Sequence, residues 1–128
     1  MQSLREPQSN SWEVFWLLFN YNPDIDEKKT NYFIFKPNGI ELGQAWGLVD
    51  QKFLATKDYP RAEMKKNYEL TLIKKNQSLK VFIDGQSALH FQGAENLQLL
   101  DDSGQIGLYA EDSLVHISKF EICKNLSN

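Results

Sequence analysis

One cysteine, two histidines and no basic run longer than a pair set the first limits on this 128-residue chain. Cys123 has no partner within the chain, so there is no internal disulfide framework, and no Cys/His cluster has zinc-ligand spacing. The paired lysines 28–29, 65–66 and 74–75 are too short for a phosphate-backbone footprint, and the formal charge is only -3. Nucleic acid is therefore not an expected partner. No apolar run approaches the length that crosses a membrane. The first ten residues, with Arg5, Glu6 and Pro7, lack the apolar core of a signal peptide, so any secretion signal is expected to lie outside these residues and the compartment stays open.

What is present is strand patterning. Residues 67–74 alternate Tyr68, Leu70 and Leu72 against Glu69, Thr71 and Ile73, the period of a half-buried strand. A polar turn at 75–78 leads into 79–83, where Leu79, Val81 and Ile83 alternate with Lys80 and Phe82. Asp84-Gly85 then supplies the left-handed positions of a tight hairpin, and the chain returns through 89–91. Three antiparallel strands within about 25 residues make a meander, and the rest of the chain is organised around it.

Residues 1–10 read as a flexible arm. Residues 12–21 are apolar on both faces, Trp12, Val14, Trp16 and Leu18 against Phe15, Leu17 and Phe19, which predicts a strand in the middle of a sheet, covered twice. After a polar loop at 22–29, residues 32–36 and 40–43 form a hairpin about Pro37-Asn38-Gly39. Trp46, between Gly43 and Gly47, predicts a bulged segment that aims one large side chain. A short strand is expected at 53–56, a long connection at 57–66 and a strand at 104–109. In the last strand, 114–122, the apolar positions switch phase from Val115 and Ile117 to Phe120 and Ile122, as across a β-bulge. The sum is an all-β, antiparallel two-sheet sandwich at 11–123 with a short tail at 124–128; a closed barrel is the alternative.

Taken in order, FWLLFNY, TNYFIFKPNGIELG, YELTLIKKNQSLKVFIDGQ and GQIGLYAEDSLVHISKFEI resemble the concanavalin A-like lectin/glucanase superfamily, and within it a subgroup of domains of unknown function related to laminin-G-like modules and to sugar-active domains. The resemblance covers 12–122 and agrees best at 68–85 and 104–122. It implies a jelly-roll sandwich of a kind common in bacterial polysaccharide-handling proteins. Members carry further strands ahead of the position of Trp12, whereas a ten-residue polar arm precedes it here. That shortfall leads to the expectation of a minimal or N-terminally truncated version, or of a second copy covering an exposed apolar face.

Glycoside hydrolysis needs two carboxylates at a set separation. The E-x-D-x-E triplet of the superfamily's glucanases does not occur, and Glu41, Glu69, Glu111 and Glu121 stand apart in sequence. A hydrolase or lyase would have to assemble carboxylates from different strands. Asp24 and Asp26 would suit a hard cation such as calcium, but the loop lacks the glycine and distal glutamate of an EF-hand, and a solvated acidic turn is preferred. Cys123, His90 and His116 read as structural. The sequons at Asn76 and Asn125 are given no role.

Aromatic residues, 12% of the chain, carry most information. Flat rings stack on sugar faces while amides and charges read hydroxyls. Trp46, Tyr21 and Tyr32 fall near loops or strand ends together with Asn20, Asn31, Lys36 and Glu41; Gln44 and Tyr59 lie nearby, and Trp12 and Trp16 read as core. The expected function is non-catalytic carbohydrate binding through those seven residues without a cofactor. The rival classes are the dispersed-carboxylate enzyme and a homo-oligomeric interaction module.

Overall fold

The computed structural model describes residues 2–3, 14–21, 29–46, 50–63, 66–94, 98–99, 105–111, 115–116 and 119–121. Among them are the strands β1 (Gln2–Ser3), β2 (Val14–Tyr21), β3 (Lys29–Lys36), β4 (Gly39–Trp46), β5 (Asp50–Lys57), β6 (Leu70–Lys75), β7 (Ser78–Ile83), β8 (Gln86–Gln92), β9 (Gln105–Glu111) and β10 (Val115–His116). They form a five-stranded sheet in the order β5-β4-β3-β2-β9, a three-stranded sheet β6-β7-β8 and the small pair β1-β10. Every pairing is antiparallel. Among the described residues there is no helix, hence none long and apolar enough to cross a membrane.

The two larger sheets pack face to face as a β-sandwich. Alternation turns Phe19, Phe33, Phe35, Ile40 and Leu42 of the larger sheet toward Leu79, Val81, Ile83, Leu89 and Phe91 of the smaller one, in one buried cluster. Removing such a side chain from water contributes roughly 1.5–3 kcal/mol each. The meander appears as the spacing predicts: along β6, Leu70 and Leu72 are half-buried while Thr71 and Ile73 are exposed. Strand β2 lies between β3 and β9, the central position that its two apolar faces require.

Three expectations are corrected. Strand β4 runs regularly to Trp46 rather than breaking at Gly43. The irregularity falls on the facing strand, where Leu42 pairs Ala55 but Gly43 pairs Phe53, leaving Leu54 as the extra, buried residue. Secondly, β5 spans Asp50–Lys57, twice the expected length, because Asp50, Gln51 and Lys52 ahead of Phe53 are polar and carry no apolar signal. Thirdly, Gln2–Ser3 of the expected arm pair with Val115–His116. Of the phase-switching stretch 114–122, residues 115–116 and 119–121 are described, and among them only Val115–His116 are strand rather than the whole stretch; the acidic loop with Asp24 and Asp26 lies outside the described residues.

Side chains also tie the layers together. Lys57 Nζ on β5 donates to the Ala88 carbonyl on β8 at 3.0 Å. Gln77, in the β6–β7 turn, donates through Nε2 to Leu99 O at 2.8 Å and accepts from Leu99 N at 2.7 Å through Oε1. From the larger sheet, Gln44 Nε2 donates to the carbonyl of Gln98. Residues 98–99 are thus held by a carboxamide from each layer, and Leu99 is sunk in the core. Gln77→Leu keeps the bulk but removes both bonds. We expect a lower urea midpoint worth about 1–3 kcal/mol with an unchanged m-value, and an unchanged midpoint would show that the clamp does not hold Leu99.

Candidate functional site

Strand alternation divides the seven expected ligand residues between opposite faces of the larger sheet. On its outer face, turned away from the smaller sheet, register brings Tyr109, Trp16, Ile34 and Glu41 into one row across β9, β2, β3 and β4. The adjacent row holds Gly107, Leu18, Tyr32, Gly43 and Phe53. Gly43 matters here for space, since a Cβ at that position would press into the Tyr32 ring and the Lys52 carbonyl. Tyr32 therefore lies over the β4 backbone, and its hydroxyl donates to Glu41 Oε2 at 2.6 Å. Lys36 Nζ donates to the other oxygen, Oε1, at 2.9 Å.

Glu41 is only 7% exposed, and an unpartnered carboxylate at that depth would be costly. Here both oxygens have a donor, one of them charged. Burial raises the Tyr32 phenol well above the ordinary tyrosine range, and the hydrogen bond and negative charge of Glu41 add to it, so the hydroxyl stays a neutral donor. Trp16 covers the ring, with centroids 4.7 Å apart and planes at 45°. Tyr109, 48% exposed, meets Trp16 edge-on at 6.0 Å. The Trp16 indole N–H is buried without a hydrogen-bond acceptor, an arrangement that costs about 1–3 kcal/mol.

The second cluster is an amide ladder beside the sandwich interior. Asn31 Nδ2 donates to Asn20 Oδ1 at 2.9 Å, and Gln44 Nε2 approaches Asn31 Oδ1 at 3.5 Å as well as the Gln98 carbonyl. Thr30 Oγ1 bonds the Phe19 carbonyl at 3.2 Å. Asn20 has φ 56°, a left-handed conformation that asparagine tolerates, at the register shift between Leu18 and Tyr21. Trp46, two residues beyond Gln44 on β4, and Tyr21, next to Asn20, are half-buried.

The structure thus unites Tyr32, Lys36 and Glu41 in one place and Asn20 with Asn31 in another. Tyr32, Asn31 and Glu41 are buried, which corrects the picture of Tyr32 as an accessible ring near a strand end. Its ring is covered because Gly43 makes room beneath it and Trp16 closes over it. Trp16 was expected in the core and is instead half-buried on the outer face. Sequence reasoning did not include Trp16, Tyr109 or Phe53 in a site, since only the β2–β9 and β4–β5 registers bring them together. Among the described residues Glu41 is the only buried carboxylate, and no three His, Cys, Asp or Glu side chains gather as a metal site.

The fold and this face define a β-sandwich with an aromatic and charged outer layer. No protein-family model and no curated protein matches the chain. Among solved structures it is similar to the carbohydrate binding module CBM66 from Bacillus subtilis, with TM-score 0.65 at 15% identity, covering 87% of this chain. The chain spans 65% of that chain's length. At this identity the likeness establishes the sandwich fold.

Tyr32 gives a pH signature. Its folded-state pKa lies above the unfolded value of 10.0, so its contribution to stability is complete below that pH and is lost as pH rises beyond it. Tyr68 is shifted the same way, chiefly by burial, and contributes to the same alkaline loss. Tyr32→Phe is expected to cost about 1–3 kcal/mol at neutral pH and to flatten the fall in stability above about pH 10. Denaturant unfolding across that range checks it, and an alkaline slope identical to that of the wild type would refute the Tyr32 assignment.

Proposed function

We propose that this protein is a non-catalytic carbohydrate-binding module that receives a glycan on the outer face of its larger sheet. The carrying observation is the assembly of Tyr109, Trp16 and Lys36 over a buried Tyr32–Glu41 pair. Tyr109 offers a half-exposed ring for a sugar face, and Lys36 offers an ammonium, fixed by Glu41, for hydroxyl oxygens. Tyr32 and Glu41 hold these groups from beneath. Tyr21, Asn20, Asn31 and Trp46 form the second contact region of the same reading, in which the two rings face the ligand and the amides shape the backbone around them. The fold shared with a carbohydrate binding module supports this reading, and so does the patterning that resembles concanavalin A-like jelly rolls, the finer fold assignment we infer for a single domain over 11–123.

The engagement of both Glu41 oxygens favours recognition over hydrolysis, which requires a carboxyl free to transfer a proton or attack a sugar. Tryptophan fluorescence titrated against soluble polysaccharides and oligosaccharides tests the proposal. A saturable shift is expected, weakened about tenfold in Tyr109→Ala, the equivalent of about 1.4 kcal/mol for a lost ring contact. A shift abolished by Trp46→Ala and untouched by Tyr109→Ala would move the ligand to the amide end. No response to any glycan from folded protein would remove the function.

A further inference from the structure

The outer face of the three-stranded sheet carries a groove that plays no part in the site above. It has a volume of about 530 Å³ and is lined by Ile73, Lys75, Asn76, Lys80, Phe82 and Gln92, among others. Register explains the grouping: Ile73 pairs Lys80, which pairs His90, while Lys75 pairs Ser78, which pairs Gln92. All project opposite to Leu79, Val81 and Phe91, which fill the core.

Three features of this groove point the same way. Its charged side chains are both lysines, and no carboxylate lines it. Glu69 and Asp84 are joined at the far end of the meander, where Asp84 bonds the Glu69 backbone from both its amide and its carboxylate. Secondly, apolar surface lies between the charges, with Ile73 53% exposed and Phe82 half-buried. A ligand that was only an anion would gain nothing from that floor, whereas a sugar ring presents C–H groups to it. Thirdly, the Gln77 amide is committed to Leu99 at both of its ends, which anchors the turn that forms one wall. The position of Asn76 is thereby fixed before any ligand arrives.

We infer that this groove binds a uronate-bearing glycan, with Lys75 and Lys80 meeting the carboxylates, Phe82 and Ile73 under a ring face, and Gln92 and Asn76 reading hydroxyls. The inference rests on the carbohydrate-binding reading but places the acidic sugar on the opposite layer of the sandwich from Tyr109. A short oligogalacturonate titrated into isotopically labelled protein tests it by amide shifts, beside a neutral galactan oligosaccharide and polyglutamate. Shifts are expected at Lys75, Lys80, Phe82 and Gln92 with oligogalacturonate alone, weakening as salt is raised. Lys75→Gln/Lys80→Gln should reduce affinity about twofold to thirtyfold, the range expected for the loss of two exposed charge contacts. Phe82→Ala should weaken binding and Tyr109→Ala should leave it unchanged. Equal shifts with polyglutamate, affinity unaltered in the lysine double variant, or oligogalacturonate shifts confined to the Tyr109 face would each overturn the groove assignment. Loss of neutral-glycan binding on the Tyr109 face, with groove shifts intact, would sink only the earlier reading.

Discussion

Because β2 and β3 are apolar on both faces and sit in the middle of a five-stranded sheet, each of their faces has to be covered by something. One face is covered by the second sheet, and that contact supplies the core from Phe19 to Phe91. The other is covered by Trp16 packed over Tyr32, beside Ile34, Leu18 and Ala45. A sheet apolar on one side only could have stayed open to water there. Among the described residues the smaller sheet has three strands against five and covers only part of the width. Leu108 and Ile106 on β9 are accordingly 43% and 41% exposed.

Rings on the outer face have a consequence that aliphatic cover would not. An aromatic layer can carry polar groups at its edges, and Tyr32 uses its hydroxyl to satisfy a carboxylate that the sheet has buried. Glu41 in turn restrains Lys36 at the layer's margin. Such a cluster costs more to assemble than a hydrophobic one of equal size. Its result is a Tyr32 hydroxyl and a Lys36 ammonium each fixed on one oxygen of Glu41, with the Trp16 ring packed against Tyr32.

Most of the fold was legible in the sequence because it is written in period-2 alternation. The meander from Leu70 to Phe91, the double-faced β2 and the turn at Pro37-Asn38-Gly39 all follow from local pattern. What escaped depends on register, which couples residues far apart in the chain: Trp16 faces Tyr109 only because β9 returns beside β2. The position of the bulge was misread for a related reason. Gly43 looked like a break in its own strand, but its missing side chain serves Tyr32 on the neighbouring one. The site residues were legible as types rather than as a place, since adjacent positions such as Asn31 and Tyr32 point to opposite faces.

The amide-rich end shows how far residue type can mislead. Asn20, Asn31 and Gln44 have the chemistry of sugar readers, yet their hydrogen bonds run to one another and to the Gln98 carbonyl. Gln77 completes the arrangement from the other layer. The chain between β8 and β9 passes from one layer to the other, and at Gln98 and Leu99 its backbone meets side-chain amides from both. Side-chain amides, each with both a donor and an acceptor, are the groups that can meet a backbone in that position. Hydrogen-bonding capacity spent on the connection is withdrawn from ligand recognition. Asn31 and Gln44 are accordingly buried, while Asn20 and the rings of Tyr21 and Trp46 keep part of their surface exposed.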